Sequence, residues 1–126
     1  MSTVRDRYAS PSDDDQRRLT RLIAIFQIMR DINPTLPVSY AQAFLAVALS
    51  PGQGPAHYAK ALGVVQPVAS RTLLEIGKKA RTGGPGLGLV DSQQDPVDLR
   101  TLHYYLTPKG RSLFEHIMQI LDVKAT

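Results

Sequence analysis

One segment of the sequence, residues 66–81, carries side chains whose types are suited to reading duplex DNA. Its candidate DNA contacts are polar or basic residues and one proline: Gln66, Pro67, Ser70, Arg71, Lys78, Lys79 and Arg81. In the major groove glutamine can pair with adenine and arginine with guanine, and serine can serve a base or a phosphate. The basic residues at the end of the segment are suited to phosphates. Because only Glu75 opposes the basic residues, the segment has a net charge of +3.

Simpler roles remain open for some of these residues. Arg71 could pair with Glu75, which lies one helical turn further along the chain. Lys78 and Lys79 could simply match the negative end of a helix dipole. These alternatives compete with DNA contact for the same side chains.

A second basic stretch, residues 100–111, supplies one more candidate DNA contact, Arg100. Arg100 could instead only pair with the nearby Asp98 within the wing. Between the two basic stretches lie three acids: Asp91, Asp95 and Asp98. Since carboxylates repel phosphates, we expect the region between the stretches to add little affinity for DNA.

No arrangement of residues in the sequence indicates catalysis. There is no cysteine, and the three histidines are scattered without the spacing of metal ligands. No serine, histidine and aspartate are placed as a triad. The motif GGPGLG at 83–88 follows a predicted helix and lacks the Lys-Ser/Thr pair of a phosphate-binding loop. We therefore expect neither an enzyme nor a bound metal or cofactor.

The candidate contacts lie on the second of two short predicted helices. The first helix is predicted over 55–62, and Gly63 is placed for the left-handed residue that follows a helix. The second is predicted over 66–79 with a proline in its first turn. Three apolar residues, at spacings of four and three, are predicted to face the core: Ala69, Leu73 and Ile76. The candidate contacts then point outward.

Two strands and a helix are predicted after these helices. The strands are expected over 87–91 and 99–107, with the sequence SQQDPVD (92–98) as the tip of a hairpin. Thr107 followed by Pro108 predicts the start of the last helix.

The first and last predicted helices are more apolar than one small core requires. Acids after Ser12 predict a helix start, and from there to about residue 32 apolar residues cover more than half of the helical circumference. The last helix also has a broad apolar arc. We expect a homodimer through residues 14–32 and 108–123.

Two further features concern the N-terminal half of the chain. Residues 1–12 are polar without periodicity, so we expect a disordered arm. Ser39 with Gln42 predicts a capping box at the start of a helix over 39–50.

Two stretches of the sequence, residues 57–77 and residues 98–110 with DLR and YYLTPKG, resemble the MarR-type transcriptional regulators. Residues 57–77, HYAKALGVVQPVASRTLLEIG, are similar to the family's helix-turn-helix, in which a Leu-Ala pair, a Leu-Gly turn and a Ser-Arg pair recur; here these places are taken by Tyr58-Ala59, Leu62-Gly63 and Ser70-Arg71. Residues 98–110, DLR…YYLTPKG, resemble the family's wing strand and the LT-x-x-G start of its next helix. The resemblance covers about residues 39–115. The family's wing is usually rich in arginine, whereas this wing matches that pattern only at Asp98 and Arg100.

We therefore predict a mainly α winged helix-turn-helix domain over residues 13–126, with a two-stranded wing and flanking N- and C-terminal dimerisation helices. The resemblance implies a homodimer that binds double-stranded DNA at an inverted repeat and regulates transcription, most simply as a repressor. A winged-helix protein-interaction module remains open, because the wing is acidic and the net charge of +4 is mild. A phage or plasmid replication or partition factor, which would also bind DNA, remains open as well. Without a visible secretory signal or a membrane-spanning run, the protein is expected to be cytoplasmic with no membrane partner. The residues indicate no particular small-molecule ligand.

Overall fold

Five helices and one two-stranded antiparallel sheet make up the part of the chain that the structure, a computed structural model, describes: residues 9–78 and 83–122. Their bounds are α1 Asp13–Ile32, α2 Val38–Leu49, α3 Pro55–Leu62, α4 Gln66–Glu75, β1 Val90–Gln94, β2 Leu102–Leu106 and α5 Pro108–Leu121. A helix pair followed by a hairpin is the winged helix-turn-helix arrangement, so the predicted mainly α fold is confirmed. Residues 1–8 of the predicted arm lie outside the described residues.

The start of α1 follows directly from the local sequence. The Ser12 side chain accepts a hydrogen bond from the backbone N–H of Asp15 at 3.2 Å, and three acids occupy the first turn. Both features stabilise the positive end of a helix. The helix ends at Ile32, because Asn33, the residue before Pro34, is extended.

The capping box predicted at the start of α2 is wrong. The helix begins at Val38, and Pro37 is its N-cap without any side-chain hydrogen bond. The proline ring fixes an extended N-cap backbone, and the Pro37 carbonyl accepts from the N–H of Tyr40 at 3.0 Å. Ser39 therefore lies inside the first turn, where its hydroxyl is not needed as a cap.

The helix-turn-helix, α3 and α4, has the predicted turn and the predicted inner face. Gly63 follows α3 with φ of 69°, a left-handed conformation that favours glycine. The three predicted inward residues of the second helix are all buried: Ala69, Leu73 and Ile76. They join a core whose largest fully buried side chains include Tyr58, Phe44 and Val47.

The helix α4 ends at Glu75, earlier than the predicted end at Lys79. Its last carbonyl groups are taken by the returning chain, because Leu87 N–H donates to Glu75 O at 3.1 Å and Leu89 N–H to Ile76 O at 2.8 Å. Two more such bonds join Gly88 N–H to Gly77 O at 2.8 Å and Gly86 N–H to Lys78 O at 3.0 Å. These bonds replace a further helical turn, so the helix is anchored to the wing at its C-terminal end.

The wing is shifted along the sequence relative to the prediction. The strand β1 spans 90–94 rather than 87–91, and its register pairs Val90 with Leu106 and Gln94 with Leu102. The predicted strand start at 87–89 is instead used to cap α4. Gln93 and Gln94 therefore lie on the strand, and residues 95–101 form the wing tip. In β2 Tyr104 is buried, whereas the next residue, Tyr105, is exposed.

A loop between α2 and α3 holds the wing against the helices. Gly52 N–H donates to Tyr104 O at 2.7 Å, and Tyr104 N–H donates to Gln53 O at 3.0 Å. The buried Tyr58 hydroxyl donates to Ser50 O at 2.6 Å, and its ring meets the Tyr104 ring edge-on at 6.1 Å. The wing is thus joined to the helix-turn-helix by both hydrogen bonds and aromatic packing.

Close backbone contacts explain two glycines near the wing. A methyl group on Gly110 would overlap the carbonyl oxygen of Leu89, and one on Gly86 would overlap that of Gly77. Gly110 follows the predicted cap of α5, in which the Thr107 hydroxyl accepts from Gly110 N–H at 3.0 Å. The LT-x-x-G sequence thus combines a cap with a close approach of helix and strand.

The outer sides of α1 and α5 are apolar. The exposed large apolar side chains of these helices are Leu19, Leu22, Ile23, Phe26, Met118 and Leu121. Only the inner side of α1, with Ile25 and Met29, is buried in the described chain. No helix in the described ranges combines the length and apolar character needed to cross a membrane.

Candidate DNA-binding surface

The outer face of α4, defined by Pro67, Ser70 and Arg71 together with Gln66, carries the first four predicted contacts. Pro67, Arg71 and Gln66 are exposed, and Ser70 is half-buried. Arg71 forms no ion pair with any residue of the described ranges, so the alternative pairing with Glu75 is not formed. The guanidinium is therefore presented to solvent, at the middle of a helix whose opposite face packs against the core.

A groove between α4 and the wing brings three of the predicted residues together. Gln66 and Ser70 line one wall, and Arg100 and Thr101 from the wing tip line the other, around a volume of about 460 Å³. Its floor includes Leu102 and Tyr104 of β2. Gln66 and Ser70 therefore share one concave surface with Arg100, although the wing tip lies thirty or more positions further along the sequence.

Lys78 does not lie in a helix, because α4 ends before it. The interpretation of Lys78 as a cation at the helix end is therefore wrong. Its ammonium group lies 2.8 Å from the Asp91 carboxylate on β1. The hydrogen bond between them raises the pKa of Lys78 and lowers the pKa of Asp91 from their ordinary values. Lys79 and Arg81 lie outside the described residues.

The wing tip is organised by its own acids. One oxygen of Asp95 accepts from the backbone N–H of Val97 at 2.8 Å and from that of Asp98 at 2.9 Å. Asp98 in turn accepts from the N–H of Arg100 at 3.1 Å and from the Thr101 hydroxyl at 3.1 Å. Aspartates that bond to nearby backbone donors in this way fix tight turns. The sequence DPVD carried this signal, which the interpretation of these acids as mere repulsive charges overlooked.

Each of the three wing acids has a basic neighbour, which the sequence pattern did not show. Asp91 pairs with Lys78, and Asp98 lies 3.5 Å from the Arg100 guanidinium. Asp95 pairs with His103 at 2.9 Å. The Arg100 contact is long and its side chain is 93% exposed, so bracing Asp98 leaves most of the guanidinium accessible. The wing is therefore less repulsive towards phosphate than its acid count suggests.

Apolar residues beside the predicted contacts form a feature that the sequence reasoning missed. Val65, at the N-cap of α4, is 66% exposed, and Val68 is 41% exposed. Leu74, on the outer side of the same helix, is 44% exposed. The signal was available, because these residues fall outside the inward spacing of four and three on α4. Within the described ranges, no group of three potential metal-binding side chains occurs near this surface or elsewhere.

Comparisons with solved structures place this geometry among known folds. A MarR family transcription regulator superimposes on 82% of this chain with a TM-score of 0.59 and 24% identity, and the chain spans 63% of its length. The transcriptional repressor CouR, solved with a 23-mer DNA duplex, matches 98% of this chain and 80% of its own with a TM-score of 0.54 and 19% identity. The MepR–DNA complex of S. aureus matches 87% of this chain and 77% of its own, with a TM-score of 0.58 and 19% identity. The chain has the MarR-type winged-helix fold.

At these identities the likeness is one of fold. No protein-family model and no curated protein matches the sequence. In this MarR-type fold α3 and α4 are the helix-turn-helix, the hairpin is the wing, and α1 and α5 are the flanking helices. The resemblance seen in residues 57–77 and 98–110 is therefore confirmed at the level of architecture.

Proposed function

We propose that this protein is a transcriptional regulator that binds specific double-stranded DNA, most simply as a repressor, through the outer face of α4. The observation that carries the proposal is the presentation of Gln66, Arg71 and Pro67 on an exposed helix face, beside a groove that Ser70 and Arg100 share. In helix-turn-helix proteins the second helix lies in the major groove, and residues near its N-terminus reach base edges. Two of the structural neighbours, CouR and MepR, were solved with DNA, which supports the same use of this fold.

Lys78, Lys79 and Arg81 are proposed as phosphate contacts beyond the helix end, with Lys78 shared between DNA and its partner on β1. Arg100 is proposed to contact the sugar–phosphate backbone from the wing tip, since its side chain is almost fully exposed. The protein would act in the cytoplasm, and we propose binding rather than catalysis as its role.

We propose that the active form is a homodimer through residues 14–32 and 108–123. The exposed apolar residues of α1 recur at spacings of three and four along one side: Leu19, Leu22, Ile23 and Phe26. A surface of this kind marks a protein contact. A two-fold dimer would also place two copies of α4 on two half-sites of an inverted repeat.

Selection of bound duplexes from a random pool tests the proposed function. We expect enrichment of a symmetric consensus whose half-sites are about 10 bp apart, centre to centre, as the geometry of helix-turn-helix dimers requires. Absence of any enriched sequence, together with no binding to random duplex at low salt, would refute DNA binding.

Sedimentation of two matched variants tests the dimer. Phe26→Asp introduces a charge on the apolar side of α1 and should yield a monomer at micromolar concentration. Val38→Asp introduces the same charge at an exposed valine of α2 and should leave the dimer intact. A wild-type protein that sediments as a monomer at such concentrations would overturn the dimer.

One observation favours a second candidate, a winged-helix protein-interaction module. The wing tip exposes two apolar side chains, Val97 at 94% and Leu99 at 63%. A module of this kind would bind a protein through the tip and would not retain random duplex DNA at low salt. A titration with random duplex DNA at low salt therefore separates the two candidates.

A further inference from the structure

The N-cap of α4 is Val65, whose carbonyl oxygen accepts the first backbone bonds of the helix, from the N–H groups of Val68 at 3.0 Å and Ala69 at 3.2 Å, but whose side chain provides no cap. Val65 has the extended N-cap backbone, with φ of −73° and ψ of 153°, but no side-chain cap bond. Valine is among the least favourable residues at this position, where serine, threonine, aspartate and asparagine are preferred. Val65 is 66% exposed, so it contributes little to the core either. A local rule is broken without a gain in packing, and such exceptions concentrate at functional positions.

A second exposed valine continues the same flank of the helix. Val68 follows Val65 by three residues and Arg71 follows Val68 by three, so the three side chains lie on one flank of α4. The other flank carries Gln66 and Ser70 and faces the groove beside the wing. The two valines are therefore contiguous with the proposed DNA contact Arg71, at the end of the helix that enters a major groove first.

The chemistry of the major groove supplies one apolar partner for such side chains. Each base edge there offers hydrogen-bond donors or acceptors, and thymine alone adds a methyl group at C5. We propose that Val65 and Val68 are specificity-determining residues that contact thymine 5-methyl groups and so select half-sites that contain thymine. The proposal rests on the proposed function, and it adds a class of base contact that Gln66 and Arg71 do not provide.

Removing one thymine methyl group at a time from the DNA tests this contact. Each thymine of the selected site is replaced in turn by deoxyuridine, which lacks only the 5-methyl group, and affinity is measured by fluorescence anisotropy. For the wild-type protein we expect a loss of about fourfold at one or more positions, the equivalent of one buried methylene. In Val65→Ala and Val68→Ala, the replacement that each valine senses should have no effect.

Val38→Ala is the matched control, because Val38 has the same residue type and the same 66% exposure on another helix. This variant should respond to every deoxyuridine as the wild type does. The inference is overturned if wild type is indifferent to all replacements, if all three variants keep the full response, or if the selected half-sites contain no thymine. The same titrations include a scrambled duplex. A wild-type protein that does not prefer the selected site over the scrambled duplex would count against the proposed function itself, not only against the thymine contacts.

Discussion

His103 and Asp95 are joined across the wing by a contact of 2.9 Å between Nε2 and a carboxylate oxygen. The other ring nitrogen, Nδ1, lies 2.9 Å from the carbonyl oxygen of Gly52 in the loop between α2 and α3. Both partners can only accept hydrogen bonds. The Gly52 atom is a carbonyl oxygen, and Asp95 is ionised because the backbone N–H of Asp98, followed by His103 itself, holds the pKa of Asp95 at about 2. A neutral imidazole has a single donor, so only the imidazolium makes both bonds at once.

Protonation of His103 should therefore stabilise the wing tip. The bond to Asp95, followed by that to Gly52, raises the pKa of His103 above its ordinary value of about 6.5. The contribution is then fully present below about pH 6.5 and is lost as the pH rises through the raised pKa of the folded state. Amide hydrogen exchange of Val97 and Asp98 should accelerate across that interval more than exchange of buried β2 amides.

Asp95→Asn isolates the charge in this contact. The asparagine oxygen can still accept from the N–H groups of Val97 and Asp98, so the turn is kept while the carboxylate is lost. In an NMR titration, the pKa of His103 should fall towards its ordinary value in this variant. Identical titration curves for His103 in wild type and variant would show that Asp95 does not govern its protonation.

The pairing of Lys78 with Asp91 predicts a gain of DNA affinity on removing the acid. In Asp91→Asn the ammonium group loses its 2.8 Å partner and becomes available to phosphate. We expect tighter binding to random duplex and a salt dependence steeper by about 0.9 in log–log slope, as for one more neutralised phosphate. Asp13→Asn, which makes the same charge change at the exposed start of α1 and outside the proposed dimer interface, is the control. If both variants raised the affinity equally, the gain would come from net charge alone and not from release of Lys78.

Arg71 is expected to read sequence rather than charge. Arg71→Ala should cost about 1–3 kcal/mol of binding free energy on the selected site and much less on a scrambled one, because a bidentate guanine contact is lost. Lys60→Ala removes the same charge from the exposed last turn of α3, outside the proposed dimer interface, and should not change the preference for the selected site. An equal loss on both sequences in Arg71→Ala would make this side chain a phosphate contact only.

Gly110→Ala should destabilise the fold although alanine is the better helix former. The helix propensity of alanine favours it over glycine by about 1 kcal/mol, whereas the added methyl group would overlap the Leu89 carbonyl. Overpacking against a rigid backbone costs about 1–3 kcal/mol, so we expect a lower urea midpoint by circular dichroism. Ser112→Ala, exposed on the same helix, should leave the midpoint unchanged or slightly raised. A stabilised Gly110→Ala variant would contradict the close approach of α5 to Leu89, the residue before β1.

Much of this fold was predictable because its signals are local. The inward spacing of Ala69, Leu73 and Ile76 needs only helical geometry, and Gly63 and Thr107 mark a helix end and a helix start by their own chemistry. The end of α4 was not predictable in this way, since its last carbonyls bond to residues 86–90, which a helical pattern cannot anticipate. The partners of the wing acids were missed for the same reason. Pairs such as Asp91 with Lys78 form through space, and the sequence showed only a row of like charges.

The hydrogen bond between Gly86 N–H and Lys78 O has a consequence for variation in chain length. The chain leaves the end of α4 and returns to it at nearly the same point, so the two sides of the connection are fixed to each other by the backbone itself. Because the ends of the connection are already held together, each doubling of its length adds only about 0.6 kcal/mol of loop-closure entropy. Insertions between Lys78 and Gly86, whether inherited or engineered as a reporter peptide, should therefore leave the relative position of α4 and the wing unchanged.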